Sequence, residues 1–541
     1  MVWLLNDVYD VEHRAYFMSE KKMELTPLKI RSHGASSVMQ YDERYTPYIE
    51  MTGLLPFVQL VSRSTPNLNA AAVTALIDRW RPETHSFHLR TGEMTVTLQD
   101  VSMITALPIE GKPLCMSTDS EGWRHQMEAL IGMSPQEPEV EDGGKKDRVP
   151  AGATFTWIAA NFAHCPEDAD DEVIQRYARV YMWYVISRTI FADGTGKNAP
   201  WMWLKTLTVL DNKFSWGSAA LAYLYRQLDD ACRRTTKDGG VGGCMLLLSW
   251  DLESEVASEV NLLYKQYTNE MDSLTPEQVE WEPYGVGTNF GDAHTFQLNP
   301  LCVQERHLWL MRCPLICNWA VEFHLPHRVM RQFGYFQPHP SEWVDTDTQL
   351  HRLDRRRQRK IKDWQKHHKS YVLTFEQSVQ ATSSIQRTQY RQHCALAFSN
   401  YLRWFQESTR VEICPPAYEE DILEEPTEYD ALAQGGYSKL IREGYQTSFA
   451  PVLNFVAADD MTLKAFQRSA YMLKPRKEFK RYSPDDYAKG KNPVAGGSRL
   501  SRMRSMDDEV EDDDDDELDD PEQFVVARRK KLASKRERGP K

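Results

Sequence analysis

The clearest alternation of apolar and polar positions runs from Asn67 to Leu114. Val73, Leu76, Ile77 and Trp80 recur at helical spacing, Asn67 or Asn69 can cap the start, and Pro82 ends the run by removing a donor and restricting Arg81. Ser86 to Leu89 and Glu93 to Leu98 then flank Thr91-Gly92 with alternate residues on a common face, which predicts a two-stranded hairpin with a glycine turn. Thr97 caps a second helix that carries Val101, Ile104 and Leu107 and stops at Pro108. The expected unit is helix, hairpin, helix, and it holds no catalytic constellation.

Helical spacing dominates elsewhere. Ser117 to Gly132 predicts a short helix through Trp123, Met127, Leu130 and Ile131, followed by an exposed, charged loop at Pro135 to Gly152. Phe155 to Phe162 predicts another, and the run from Val173 to Phe191 is apolar on enough faces to be a buried helix. PWMWLKTLTVLD and FSWGSAALAYLYRQLDDACRR read as two more helices, broken at Lys213 to Gly217, and KDGGVGGC at Lys237 to Cys244 reads as a solvated glycine stretch. Asn261 to Leu274 reads as a helix, Val303 to Phe336 as two or three helices punctuated by Pro314 and Pro326, and His351 to Gln377 and Ser384 to Gln406 as helices with charged outer faces. The fold class is therefore mostly α-helical with one or a few short β-hairpins. Met1 to Glu24 is polar and mixed and is left unassigned, either a frayed lead-in or an incorrectly predicted first exon. Residues 417–474 read as a weakly structured extension, and 475–541 as a disordered acidic then basic tail, too poor in apolar surface to offset an ordering entropy of roughly 1–2 kcal/mol per residue.

Several of these stretches, taken in order, resemble the plant mobile domain family, whose members are often described as aminotransferase-like. They are YDERYTPYIEMTGLLPFVQLV at Tyr41 to Val61, WRPETHSFHL with GEMTVTLQDVSMITALPIEGKPL, DADDEVIQRYARVYMWYVI at Asp168 to Ile186, FSWGSAALAYLYRQL at Phe214 to Leu228, VEWEPYG at Val279 to Gly285, and CPLICNWAVEFHLPHRVMRQFGYFQ at Cys313 to Gln337. The resemblance covers roughly residues 25 to 416. It implies a non-catalytic nuclear protein acting in transposon silencing, gene expression control and meristem maintenance, with nuclear proteins and a phosphatase-like protein as partners, and chromatin as a site of action. Copies carried in transposable elements imply an alternative, a transposon-derived product with a mobilisation-related or decayed role. The chain departs from the pattern after Met245, where similar proteins carry a longer segment before EVNLLYKQYTNEMDSL; the shortening is expected to leave apolar surface uncovered near Leu246 to Trp250.

Composition narrows the partners. With 541 residues, 41% hydrophobic and 11% aromatic, the chain can bury a large core. Asp507 to Asp520 accounts for twelve of the thirteen net negative charges, so the remainder is near neutral and generates no global field towards nucleic acid. Nine scattered cysteines without a CxxC pair argue against a secreted disulfide framework, and no window reaches the roughly 18 apolar residues of a membrane span. A soluble, intracellular protein is expected, with no membrane contact.

Four groups of residues could carry chemistry. Cys302, His307, Cys313, Cys317, His324 and His327 are zinc-type ligands, but CPLIC is spaced CxxxC on what reads as an apolar helix, so buried thiols and core histidines explain it as well. Arg355, Arg356, Arg357, Arg359, Lys360 and Lys362 crowd around Trp364, a pattern suited to phosphate contact and base stacking or, equally, to a solvated helix face. Arg528, Arg529, Lys530, Lys531, Lys535, Arg536 and Arg538 form two basic clusters behind the acidic run, the kind of exposed segment that directs nuclear import. An aminotransferase would need a Schiff-base lysine, a carboxylate for the pyridinium nitrogen and a phosphate cradle on an α/β fold; no such alternation is present, and GGVGG is not followed by GK[ST]. Neither an enzyme nor a cofactor is expected.

Overall fold

The structure is a computed structural model that describes residues 4–30, 39–63, 68–136, 150–193, 196–236, 239–248, 260–279, 281–282, 284, 300–340, 361–384 and 390–413. It is mostly helical, with three short strand pairs and one three-stranded sheet among the described residues.

Trp216–Ala231 is the central helix. An alanine-rich sequence without β-branched residues forms it, and almost every side chain along it is buried, including Arg226 and Asp229. It packs against the strand pairs and against Leu98–Thr105, close enough at Gly217 that a Cβ would lie 2.7 Å from Ile109 Cγ2 and 2.9 Å from Val101 Cγ1. Asp171–Arg188 organises a neighbouring layer with Thr46–Thr52, Trp123–Ile131, Phe155–Phe162 and Trp201–Thr206. Asp170 caps its start by accepting from the Val173 amide, and the Trp183 indole donates to the Pro200 carbonyl at 2.9 Å. Ala70–Ile77 pairs with Val260–Asp272 in a third layer.

The first motif keeps the predicted order of helix, hairpin and helix, but the first helix ends at Ile77, short of Trp80 and Pro82, and the second strand ends at Met94. Asn69 caps Ala70–Ile77, and Thr97 and Asp100 close a capping box on Leu98–Thr105. Ser86–Leu89 and Gly92–Met94 make the hairpin, but Leu98 begins the helix rather than ending the strand, and Trp80–Arg81 adds a third strand against Ser86 and Phe87. Pro82 thus follows a strand, where it fixes the turn.

Three other readings are corrected. Cys313–Cys317 is a strand, not a helix, and pairs antiparallel with Ala320–His324 through a two-residue turn in which Asn318 takes φ +51°. Burial of all five residues removed the alternation that marks a half-exposed strand. The glycine stretch is buried: Gly240–Val241 pairs in parallel with Lys29–Ile30, and Cys244 to Leu248 lie inside, so Leu246 to Leu248 are covered. The lead-in is part of the core, since Leu4, Tyr9, Ala15 and Met18 are buried and Arg14 is completely enclosed. The tail, including the acidic run and the basic clusters from Arg528 to Arg538, lies outside the described residues, as does residue 250. Among the described residues, no helix is long and apolar enough to cross a membrane.

Candidate functional site

The segment from Asp78 to Glu93 carries charged and titratable side chains that a surface loop would point to water, yet Asp78, Arg79, Arg81, Glu83, His85, His88 and Glu93 are all buried. Burial of charge costs several kcal/mol per ion unless partners answer it. The partners come from distant parts of the chain. Arg14 Nε donates to Asp78 Oδ1 at 2.6 Å, and the Tyr264 hydroxyl also bonds to that carboxylate. Arg79 bonds Asp272 Oδ1 at 2.5 Å, and Arg81 bonds Asp10 Oδ1 at 3.0 Å. Arg328 grips Glu93 through both carboxylate oxygens at 2.7 Å, with the Ser86 hydroxyl donating to the same group at 2.8 Å. Gln332 completes the edge of the strand region, accepting from the Thr95 amide and donating to its carbonyl.

At the centre is Trp80. Its ring packs on Phe87 and Tyr225, its indole donates to Asp229 Oδ1 at 2.6 Å, and its carbonyl bonds His13 Nε2 at 2.7 Å. Beside it His85, in a left-handed conformation at φ +49°, stacks on Tyr225 and approaches Glu322 Oε2 at 3.0 Å. Arg226 Nε holds the other oxygen of Glu322 at 2.6 Å. Among the described residues, His85, Asp229 and Glu322 are the group whose donor atoms converge, all within 4.8 Å of one another. This trio is not legible in the sequence, because it joins a turn, the central helix and a strand that is far away in the chain.

Burial shapes the titration of these groups. His13 and His88 are held well below the usual histidine range, chiefly by burial and then by Arg81. Burial also lowers His324 to about 4, although its bond to the Met311 carbonyl opposes the shift. Burial raises the thiols of Cys115 and Cys302 to about 12 and that of Cys317 well above its ordinary value, so these cysteines behave as buried apolar side chains.

The zinc-type residues picked from the sequence do not gather. Cys313 and Cys317 lie at opposite ends of one strand, and His324 is committed to the Met311 carbonyl at 2.7 Å. Trp364 is not a stacking platform: it is buried, donates to Thr118 Oγ1 at 2.8 Å and stacks on His368. Of the six basic candidates, Arg355, Arg356, Arg357, Arg359 and Lys360 lie outside the described residues, whereas Lys362 is exposed and reaches Asp119 at 3.1 Å and Glu121 at 3.4 Å. An open cleft of about 610 Å³ beside the Lys29–Ile30 strand is lined by Thr26 to Ile30, Ala70, Val260 and Asn261, with Lys29 as its one charged side chain. That lining offers no acid–base pair or nucleophile with an activating base.

A family model described as "Plant mobile domain" matches residues 56–254 and 241–406. The chain is 30% identical over 389 residues to the "Serine/threonine-protein phosphatase 7 long form homolog" of Arabidopsis thaliana, covering 64% of this chain and 27% of that protein. It is 31% identical over 312 residues to "Protein MAIN-LIKE 1" of the same plant, covering 53% of this chain and 58% of that one. It is 30% identical over 302 residues to "Protein MAINTENANCE OF MERISTEMS", also of Arabidopsis thaliana, covering 51% of this chain and 59% of that one. The chain thus spans less than two thirds of the length of each of these relatives. No solved structure matches it.

Proposed function

Because the chain belongs to the plant mobile domain family, we propose that it is a non-catalytic nuclear protein that acts in transposon silencing, control of gene expression and meristem maintenance. The observation that carries this reading is the similarity to "Protein MAINTENANCE OF MERISTEMS" and "Protein MAIN-LIKE 1" across about half of this chain. Supporting it, the charged residues of the family motif serve the interior: they tie helices and strands together and leave no titratable pair on the wall of the open cleft. Such a framework suits a rigid interaction module. Its partners in this reading are nuclear proteins, among them a phosphatase-like one, a choice supported by the phosphatase-named relative. Chromatin is the place of action, reached through the basic clusters at Arg528 to Lys531 and Lys535 to Arg538, with Arg355 to Lys362 as the candidate nucleic-acid contact. A loss-of-function line tests the proposal: transposon transcripts should rise and meristems should fail. Unchanged transcripts with normal meristems would refute it.

A second reading, a transposon-derived product, is favoured by one observation. The family match divides into two stretches that overlap at 241–254, the place where the resemblance implies a segment shorter than in similar proteins. Terminal inverted repeats flanking the gene would support this reading. A gene at a unique locus without such repeats would remove it.

A further inference from the structure

We propose that His85, Asp229 and Glu322 bind a divalent transition-metal cation of the zinc class, which ties a turn, the central helix and a strand together. The donor atoms lie within 4.8 Å of one another, and all three residues are shut off from solvent. Zinc takes imidazole nitrogen and carboxylate oxygen at about 2.0–2.2 Å, which sets its ligands roughly 3–3.5 Å apart. His85 Nε2 and Glu322 Oε2 are already 3.0 Å apart, so side-chain adjustment alone closes the site.

The independent sign is the outer ring of contacts. His85 Nδ1 lies 3.1 Å from the Phe323 carbonyl, which can only accept, so Nδ1 carries the hydrogen and, in the neutral ring that a metal requires, the lone pair sits at Nε2. That lone pair faces a carboxylate oxygen, an arrangement that a cation between them makes attractive. Glu322 Oε1 is fixed by Arg226 and Asp229 Oδ1 by the Trp80 indole. Each donor is thus oriented from behind by a carbonyl, a guanidinium or an indole N–H, the outer-shell pattern of metal-binding side chains. Magnesium and calcium fit less well, since they take oxygen ligands in greater number and magnesium keeps several waters. Enclosure makes the ion structural rather than catalytic.

The test is the metal content of the purified full-length chain, by mass spectrometry after gel filtration, with Asp229→Asn as the partner variant because asparagine keeps the shape and can still accept from Trp80. The expected result is close to one equivalent of zinc, an unfolding temperature that drops in chelator and recovers on adding zinc, and at least a tenfold loss of zinc affinity in Asp229→Asn. A cobalt-loaded sample should show d–d absorption that the variant lacks. Zinc binding that is identical in Asp229→Asn would place the metal elsewhere in the chain and overturn the proposal. Failure of the wild-type chain to take up zinc or cobalt would overturn it equally, leaving His85 and Glu322 as a direct side-chain pair.

Discussion

Replacing Arg14 with methionine should unfold more than a lead-in. The guanidinium is fully enclosed and donates to Asp78 Oδ1 at 2.6 Å, the Arg234 carbonyl at 2.6 Å, the Thr26 carbonyl at 3.1 Å and the Tyr264 hydroxyl at 3.1 Å. Methionine keeps much of the apolar stem and deletes the charge, so the buried Asp78 carboxylate loses its counter-charge. Removing one partner of such a pair costs about 3–5 kcal/mol. In urea unfolding of the full-length chain, followed by tryptophan fluorescence, a slope of about 3 kcal/mol per molar converts this cost to a midpoint shift of roughly 1–1.7 M. Adding Asp78→Leu removes the stranded carboxylate, and the double variant should cost less than the sum of the two single variants by more than about 1 kcal/mol. A shift below about 0.3 M for Arg14→Met, or strict additivity, would refute the view that residues 4–30 are built into the domain.

Stability should fall in mild acid, because His13, His88 and His324 are held below the usual histidine range by burial when folded and take up protons when unfolded. The contribution is fully present above pH 6.5 and is lost as the pH drops towards 4; His324 alone, lowered to about 4, accounts for about 3 kcal/mol, and a flat melting temperature between pH 7 and 5 would contradict this. Gly217→Ala should destabilise by about 1–3 kcal/mol in a thermal melt, since the new Cβ meets Ile109 and Val101; a neutral result would mean the central helix packs more loosely there. Trp364→Ala should cost about 3–5 kcal/mol through loss of a buried ring. Lys362→Ala should leave the unfolding midpoint where it is, and equal effects from the two would contradict the separation between a core tryptophan and a surface lysine.

The sequence made the helices legible where caps and periodicity agreed. Asn69 and Thr97 each cap the helix that follows them, and the apolar run around Tyr181 to Ile186 is as buried as its composition required. It misled where both faces of an element are covered. Cys313 to Cys317 shows no alternation because every residue is buried, and the strand was marked instead by Asn318, which tolerates the positive φ of a two-residue turn. Gly240 reads as solvent because glycine carries no apolar signal, although a backbone strand needs no side chain to be buried. The central network was illegible for a different reason. Arg14, Asp78 and Tyr264 are scattered over 250 positions, and a charged residue in a sequence carries no mark of the partner that will make its burial affordable.

The most direct test of the account is chromatin association of the tagged protein in plant nuclei, comparing the full chain with one cut after Pro475. The full chain should be nuclear and crosslink to chromatin, the shortened chain should stay out of the nucleus, and an added import signal should restore chromatin binding without the tail. A full-length protein found outside the nucleus, or one that enters and leaves no chromatin signal in either form, would contradict it.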